Sequence, residues 1–372
     1  PRLIEEVRIG ALDGDEVYTF GDVSDVAVSP DGTIWVADRQ ARAIRRYDRD
    51  GRSIGSTGRS GEGPGEFNSI AGLERLSDGR FAAWDPVLLR FSLFSEDGEF
   101  EKTIGVRTPI ILLRNRDGFR VDDQSRLHIL SAEIFPEATD RPKVQLIWIR
   151  VDTTGVVLDT IPVPAPQTDG PSAGSKSYEF GTMAPFSIVT RSALSPKGYL
   201  VLGRNSTYAL HHPLPDGRIQ RIERSWSPVS VGRDERAEFQ ALGDASRRGR
   251  RDLVETSTSV PRTKPPFWGL WVDHEGRVWV ARHTQARAVP ETESEREVRL
   301  EGNRLRGVDR PPSEWWEPLV FDVIEPGGRY LGTVTLENHR TELSEARGTE
   351  IWVIEQGEFD EQYVVRYRVA TG

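Results

Sequence analysis

The sequence contains no cysteine, which excludes disulfide staples, thiolate metal ligands and a cysteine nucleophile and leaves the redox compartment undecided. Lysine is nearly absent too. It stands only at positions 102, 143, 176, 197 and 264, so the basic residues are almost all arginine, a bias of composition more than of function. Acidic residues outnumber basic ones by 58 to 49, for a formal net charge of -9, and a nucleic-acid partner, which needs a basic footprint, is not expected. No apolar run approaches the roughly 20 residues that cross a bilayer as a helix, so no transmembrane segment is expected. The chain starts at a proline, with neither an initiator methionine nor a signal-peptide apolar region, so a leader has been removed or the chain trimmed. It also lacks the leading cysteine of a mature lipoprotein.

What the chain does have is a phrase that returns six times: an apolar strand, a tight polar turn and a second apolar strand. The clearest copy runs from Val26 through Asp31-Gly32 to Asp38, and others turn at Asp78-Gly79, Gln124-Ser125, Lys197-Gly198, Glu275-Gly276 and Gly348-Thr349. Two places after the turn stand Ile34, Phe81, Leu127, Leu200, Val278 and Ile351; four places after it stand Val36, Ala83, Ile129, Leu202, Val280 and Val353. Between them lie Trp35, Ala82, His128, Val201, Trp279 and Trp352, so both faces of this strand need cover. Sheets stacked radially in a ring meet that need, since each repeat covers its neighbour and the exposed edges stay short. A second turn recurs downstream, at Asp50-Gly51, Asp97-Gly98, Thr154-Gly155, Asp216-Gly217 and Gly327-Gly328. The pattern predicts an all-β fold, a six-bladed β-propeller of four-stranded antiparallel blades, as a single domain over residues 1-372. The last blade is one strand short, and Leu3 to Ile9 is the expected donor that closes the ring.

The stretch Val26 to Phe67, with Ile34-Trp35-Val36-Ala37-Asp38, Ala43-Ile44, Tyr47-Asp48, Asp50-Gly51 and the run Gly61 to Phe67, resembles an NHL-type repeat of six-bladed β-propellers. The resemblance implies a propeller often found outside the bacterial cytoplasm and used by different relatives for protein binding, ligand binding, or hydrolytic and lyase chemistry. Fold does not choose among these.

Turn-to-turn spacing is 47 and 46 residues for the first two steps, then 73, 78 and 73. The added residues fall at Ser131 to Lys143, Val163 to Pro185, Pro228 to Lys264 and His283 to Trp315. Each is a second turn of a blade or a crossing to the next blade, so all are expected on one face. In the third, Asp234 to Leu253 places acids early and Arg247, Arg248, Arg250 and Arg251 late, which predicts one short helix resting on Phe239 and Leu242. The fourth, rich in proline and charge, reads as an irregular loop, with Trp315-Trp316 at its end as a core contact at a strand start.

Six places after each turn, where the second strand reaches the decorated face, stand Asp38, Asp85, Ser131, Arg204, Arg282 and Glu355. Asp38, Asp85 and Glu355 belong to neighbouring blades and form a candidate oxygen-ligand set for a divalent cation such as calcium. Arg204 and Arg282 are candidates for holding an anionic group. The competing reading makes the carboxylates turn-closing residues and pairs the arginines with acids. Of the histidines, His128 sits in the tryptophan register and is expected in the core. His211 and His212 point to opposite faces of one strand. Only His283, beside Arg282, is placed as an acid or base. The glycines from 58 to 65 are followed by another strand instead of a helix, which argues against a phosphate cradle.

Two functions follow. The favoured one is a non-catalytic periplasmic or extracellular scaffold whose decorated face binds another protein, such as the membrane-bound part of a complex to which it is extrinsic, with no cofactor. The alternative is a metal-dependent, lactonase-like hydrolase or lyase with His283 or Arg282 acting on substrate.

Overall fold

The computed structural model describes residues 2–106, 111–112, 118–135, 143–164, 185–214, 216–249 and 260–370. Six antiparallel sheets follow one another along the chain. Blade 1 comprises Val23–Val28, Ile34–Asp38, Ala43–Tyr47 and Ser53–Thr57, in that order from the axis outward, and blade 2 comprises Gly72–Arg75, Phe81–Asp85, Arg90–Phe94 and Phe100–Gly105. In blade 3 the inner strand is split into Ile111–Leu112 and Phe119–Val121, both paired to Leu127–Phe135, with Lys143–Val151 and Val157–Pro162 outside. Blade 4 is Thr190–Leu194, Leu200–Arg204, Ala209–Pro213 and Ile219–Glu223, and blade 5 is Phe267–Val272, Val278–Arg282, Leu319–Ile324 and Tyr330–Leu336. Blade 6 takes Thr341–Arg347, Glu350–Gln356 and Gln362–Ala370 from the end of the chain, and its outermost strand, Arg2–Ile9, from the beginning. That pairing runs from Arg2 opposite Ala370 to Ile9 opposite Val364, the closure read from the missing strand.

The buried side chains fall into six clusters, each spanning one blade-to-blade interface. Trp352 and Val364 of blade 6 meet Val26 and Ile34 of blade 1; Trp35 and Ile44 of blade 1 meet Leu73 and Phe81 of blade 2; and so on around the circle. Trp35 stacks on Phe81 at 4.0 Å between ring centroids. A large side chain fully removed from water stabilises by about 2–3 kcal/mol, so the two-sided second strands of the sequence pattern form the glue of the ring. Gly32, Gly79, Gly198 and Gly276 all take positive φ at the tight turns, which lets the chain reverse without a Cβ clash. In blade 3 Ser125 adopts the same conformation, with φ 57°.

Among the described residues, the face with the second turns and crossings carries two α-helices where one was expected. Helix α1, Arg233–Gly249, lies in the crossing from blade 4 to blade 5, with Asp234 and Glu235 in its first turn. The arginines at 250 and 251, and residues 165–184 of the second insertion, lie outside the described residues. Helix α2, Glu293–Arg306, replaces the irregular loop expected in the second turn of blade 5. Its start is a capping box between Thr292 and Glu295 and its end a left-handed Gly307, local signals outweighed in the sequence by the flanking prolines. Two small ribbons root these helices, Val229–Ser230 against Thr263–Lys264 and Arg287–Ala288 against Trp315–Trp316. Trp316 is 37% exposed, so the expected core contact at this strand start is not made by its ring. No helix is long and apolar enough to cross a membrane among the described residues.

Candidate functional site

The residues six places after each turn do reach the decorated face, and the three carboxylates among them are engaged within their own blades. Asp38 is fully buried and accepts the N–H groups of Gly21, Asp22 and Ala41, with Arg45 at 3.4 Å. Asp85, also fully buried, accepts four backbone N–H groups, from Asn68, Ser69, Val87 and Leu88. Each carboxylate therefore ties the incoming crossing to the second turn of its own blade. Glu355 turns outward along blade 6 to Arg8 at 2.9 Å and the Tyr367 hydroxyl at 2.8 Å. Among the described residues, no three His, Asp or Glu side chains are grouped to hold a metal ion. Arg282 donates to the buried Asp322 of its own blade at 3.2 Å, and Arg204 is half-buried and likewise partnered. Register places a residue at a given height on a strand; whether its side chain looks inward is settled by the nearest unsatisfied donors.

His283 does belong to a cluster, together with residues that the sequence reading passed over. Lys264, a fully buried lysine, donates to Glu235 of α1 at 2.6 Å, to Glu317 at 3.0 Å and to the Thr284 carbonyl at 2.9 Å. Glu317 also pairs with His283 Nδ1 at 3.0 Å and accepts the Thr284 N–H at 2.6 Å. Burial works to raise the Glu317 carboxyl, but the hydrogen bonds from His283 and Thr284 and the charge of Lys264 leave it below the ordinary carboxylate value. Phe186 closes the cluster, its ring 5.2 Å from both Lys264 Nζ and the His283 ring, and 5.0 Å from Phe239 of α1. Two charges taken out of water hold only when mutually paired, so this arrangement fixes α1 to the ring. Glu238, one turn along, accepts the N–H groups of Glu314 at 2.7 Å and Trp315 at 3.4 Å, joining α1 to the base of the second insertion. Arg340 of the adjoining crossing to blade 6 holds Glu295 of α2 at 2.7 Å. Lysine scarcity was the available signal: one of only five lysines stands directly before Pro265, Pro266 and Phe267.

The result is a braced platform over blades 4 and 5. Its outer surface includes Val298 and Leu305, seven residues apart on α2 and 67% and 76% exposed, and Trp316 at 37%. A second polar feature lies elsewhere, on the ring axis, where the inner strands of all six blades line a cavity of about 40 Å³. Of its charged lining residues, Asp25, Glu74, Arg120 and Glu345 stand in strands that the sequence reading treated only as apolar partners of the second strands, and Asp273 and His274 stand in the turn that follows one of them.

No family model matches the chain, and no curated protein matches it in sequence. Among solved structures it is similar to a member of the DUF4221 family from Bacteroides vulgatus, at 12% identity and a TM-score of 0.58 over 100% of this chain and 99% of that one. It is also similar to virginiamycin B lyase from Staphylococcus aureus, at 13% identity and a TM-score of 0.41 over 98% of both chains. A gluconolactonase from Xanthomonas campestris matches at 10% identity and a TM-score of 0.40, over 98% of this chain and 89% of that one. At 12% identity the likeness to the DUF4221 member shows a shared fold and nothing about chemistry.

Proposed function

We propose that this propeller is a binding scaffold whose decorated face docks another protein, working outside the cytoplasm as the extrinsic part of a membrane-bound complex. The observation that supports it is the buried Lys264 pairing with Glu235 and Glu317, which braces α1 and the base of the α2 insertion into one surface instead of leaving two loose loops. A braced surface loses little conformational freedom on docking. It also presents Val298, Leu305 and Trp316 to solvent, and apolar and aromatic side chains of this kind anchor interfaces. The extracytoplasmic setting rests on the resemblance to NHL-type propellers.

Crosslinking and affinity capture from the native cell tests the reading. A single dominant protein crosslinked through the α2 surface is expected for the wild type, and it is lost in the double variant Val298→Glu, Leu305→Glu, whose ring stays folded by circular dichroism. Capture of the same protein by the variant would remove α2 as the docking surface.

A further inference from the structure

The inner strands do not all meet the axis alike. Those of blades 1 and 2, Val23–Val28 and Gly72–Arg75, are almost wholly buried, whereas residues 190–193 of blade 4 and 268–271 of blade 5 keep part of their surface in water, which on an innermost strand is the water of the axial channel. Arg191 pairs across its ladder with Gly203, while a bulge between the Phe267–Arg282 and Gly269–Ala281 pairs leaves Trp268 unopposed and 40% exposed. Gly203 and Ala281 both stand five places after their turn glycines, Gly198 and Gly276, so Arg191 and Trp268 share a height near the decorated end. A Cβ on Gly203 would meet Leu210, Phe267 and Leu270, and opposite residues of a ladder share a face, so Arg191 leaves its strand toward blade 5. Its Nε is buried there without a hydrogen-bond partner. Arg204 and Arg282 have partners, but among the described residues no carboxylate pairs with Arg191, and burial alone shifts its pKa, downward.

We propose that the decorated end of the axial channel, between the inner strands of blades 4 and 5, binds a carboxylate at the terminal nitrogens of Arg191. A cation held partly out of water with no counter-charge costs stability that no contact in the ring offsets, and a carboxylate supplies the missing charge. With Nε covered, the two terminal nitrogens are the donors left for it, and their fork matches the two oxygens of one carboxylate. Trp268 adds an apolar wall at the same height, which suits a free acid with an apolar body better than the acidic side chain of a polypeptide. The site takes one small anion and stands apart from the protein docking proposed for the α2 surface.

Thermal shift and calorimetric titration of the purified protein at pH 7 and constant ionic strength test it, with benzoate, its neutral isostere benzamide and an end-blocked Gly-Glu-Gly peptide as probes. Benzoate is expected to bind and raise the Tm, and benzamide is not. Arg191→Met should weaken benzoate roughly tenfold or more, the weight of a hydrogen bond to a charged group, while leaving the Tm of the ligand-free protein unchanged or higher. Trp268→Ala should weaken benzoate about threefold or more. The double variant Val298→Glu, Leu305→Glu should bind benzoate like the wild type, which separates this site from the docking surface. Tighter binding of the peptide than of benzoate would overturn the free-acid source in favour of an acidic side chain. Equal responses to benzoate and benzamide, no response to benzoate or the peptide, undiminished binding in Arg191→Met, or a fall in the Tm of that variant without ligand would overturn the proposal.

Discussion

Asp273, the residue that opens a tight turn of blade 5, accepts the indole N–H of Trp279 six residues later at 2.8 Å, and Asp122 holds His128 by the same geometry in blade 3, also at 2.8 Å. His128 is fully buried, the core position expected from its tryptophan register. Each aspartate also accepts backbone N–H groups of its own turn, Gln124 and Arg126 in one, Glu275 and Arg277 in the other. One carboxylate thus closes the turn and pins the ring that fills the interface.

Asp122→Ala should therefore cost about 2–4 kcal/mol in urea unfolding, the sum of a few unmade hydrogen bonds in a buried turn. Burial alone would raise the Asp122 carboxyl, but the hydrogen bonds from His128 and Arg126 hold it down at about 2. A depressed value means that the stabilisation is present above the unfolded value of 3.8 and is lost as pH falls through about 2. The wild-type advantage over Asp122→Ala should shrink across that window.

Lys264→Ala leaves Glu235 and Glu317 as buried carboxylates without their cation. Breaking a buried pair in this way costs about 3–5 kcal/mol. The loss should appear locally, as hydrogen exchange in α1 faster by about a hundredfold or more, while the amides of blades 1 and 2 keep their protection. Unchanged exchange in α1 would mean that the lysine does not brace the platform.

Asp85→Ala removes the shared acceptor of four part-buried backbone N–H groups and should lower stability by about 2–4 kcal/mol. Calcium should leave the Tm of wild type and of Glu355→Gln unchanged, since the oxygens of Asp38, Asp85 and Glu355 already accept from their own blades. A calcium-dependent rise in Tm that disappears in Glu355→Gln would restore the cation site and the hydrolase reading.

Stability should fall as pH rises across the neutral range. Burial raises Glu74 to about 7, so the folded state binds a proton that the unfolded chain releases near 4.5, and this contribution declines between those two values. The charge of Glu345 raises His274 to about 10, so its contribution is complete below 6.5 and is lost as pH rises toward 10. Glu74→Gln should remove about 3 kcal/mol of the fall between pH 4.5 and pH 7, read from denaturation midpoints.

The six-fold period, the apolar rows at Ile34, Trp35 and Val36 and their counterparts, and the borrowed strand at Leu3 to Ile9 were legible without coordinates. Burial on both faces of a strand leaves a periodic trace that a single chain displays along its length. The insertions were legible as excess length, and α1 as a charge gradient. The fates of Asp38, Asp85 and Glu355 were not, because a strand-end carboxylate looks the same in sequence whether it faces a ligand or the backbone of the preceding crossing. Lys264 meeting Glu235 and Glu317, and His274 meeting Glu74 and Glu345 across the axis, join residues 29 to 200 positions apart. Such pairings depend on the angle at which neighbouring blades pack and on which donors remain unmet once the ladders have formed. Repetition along the chain dictates the ring; only closure of that ring brings together the charges from different blades.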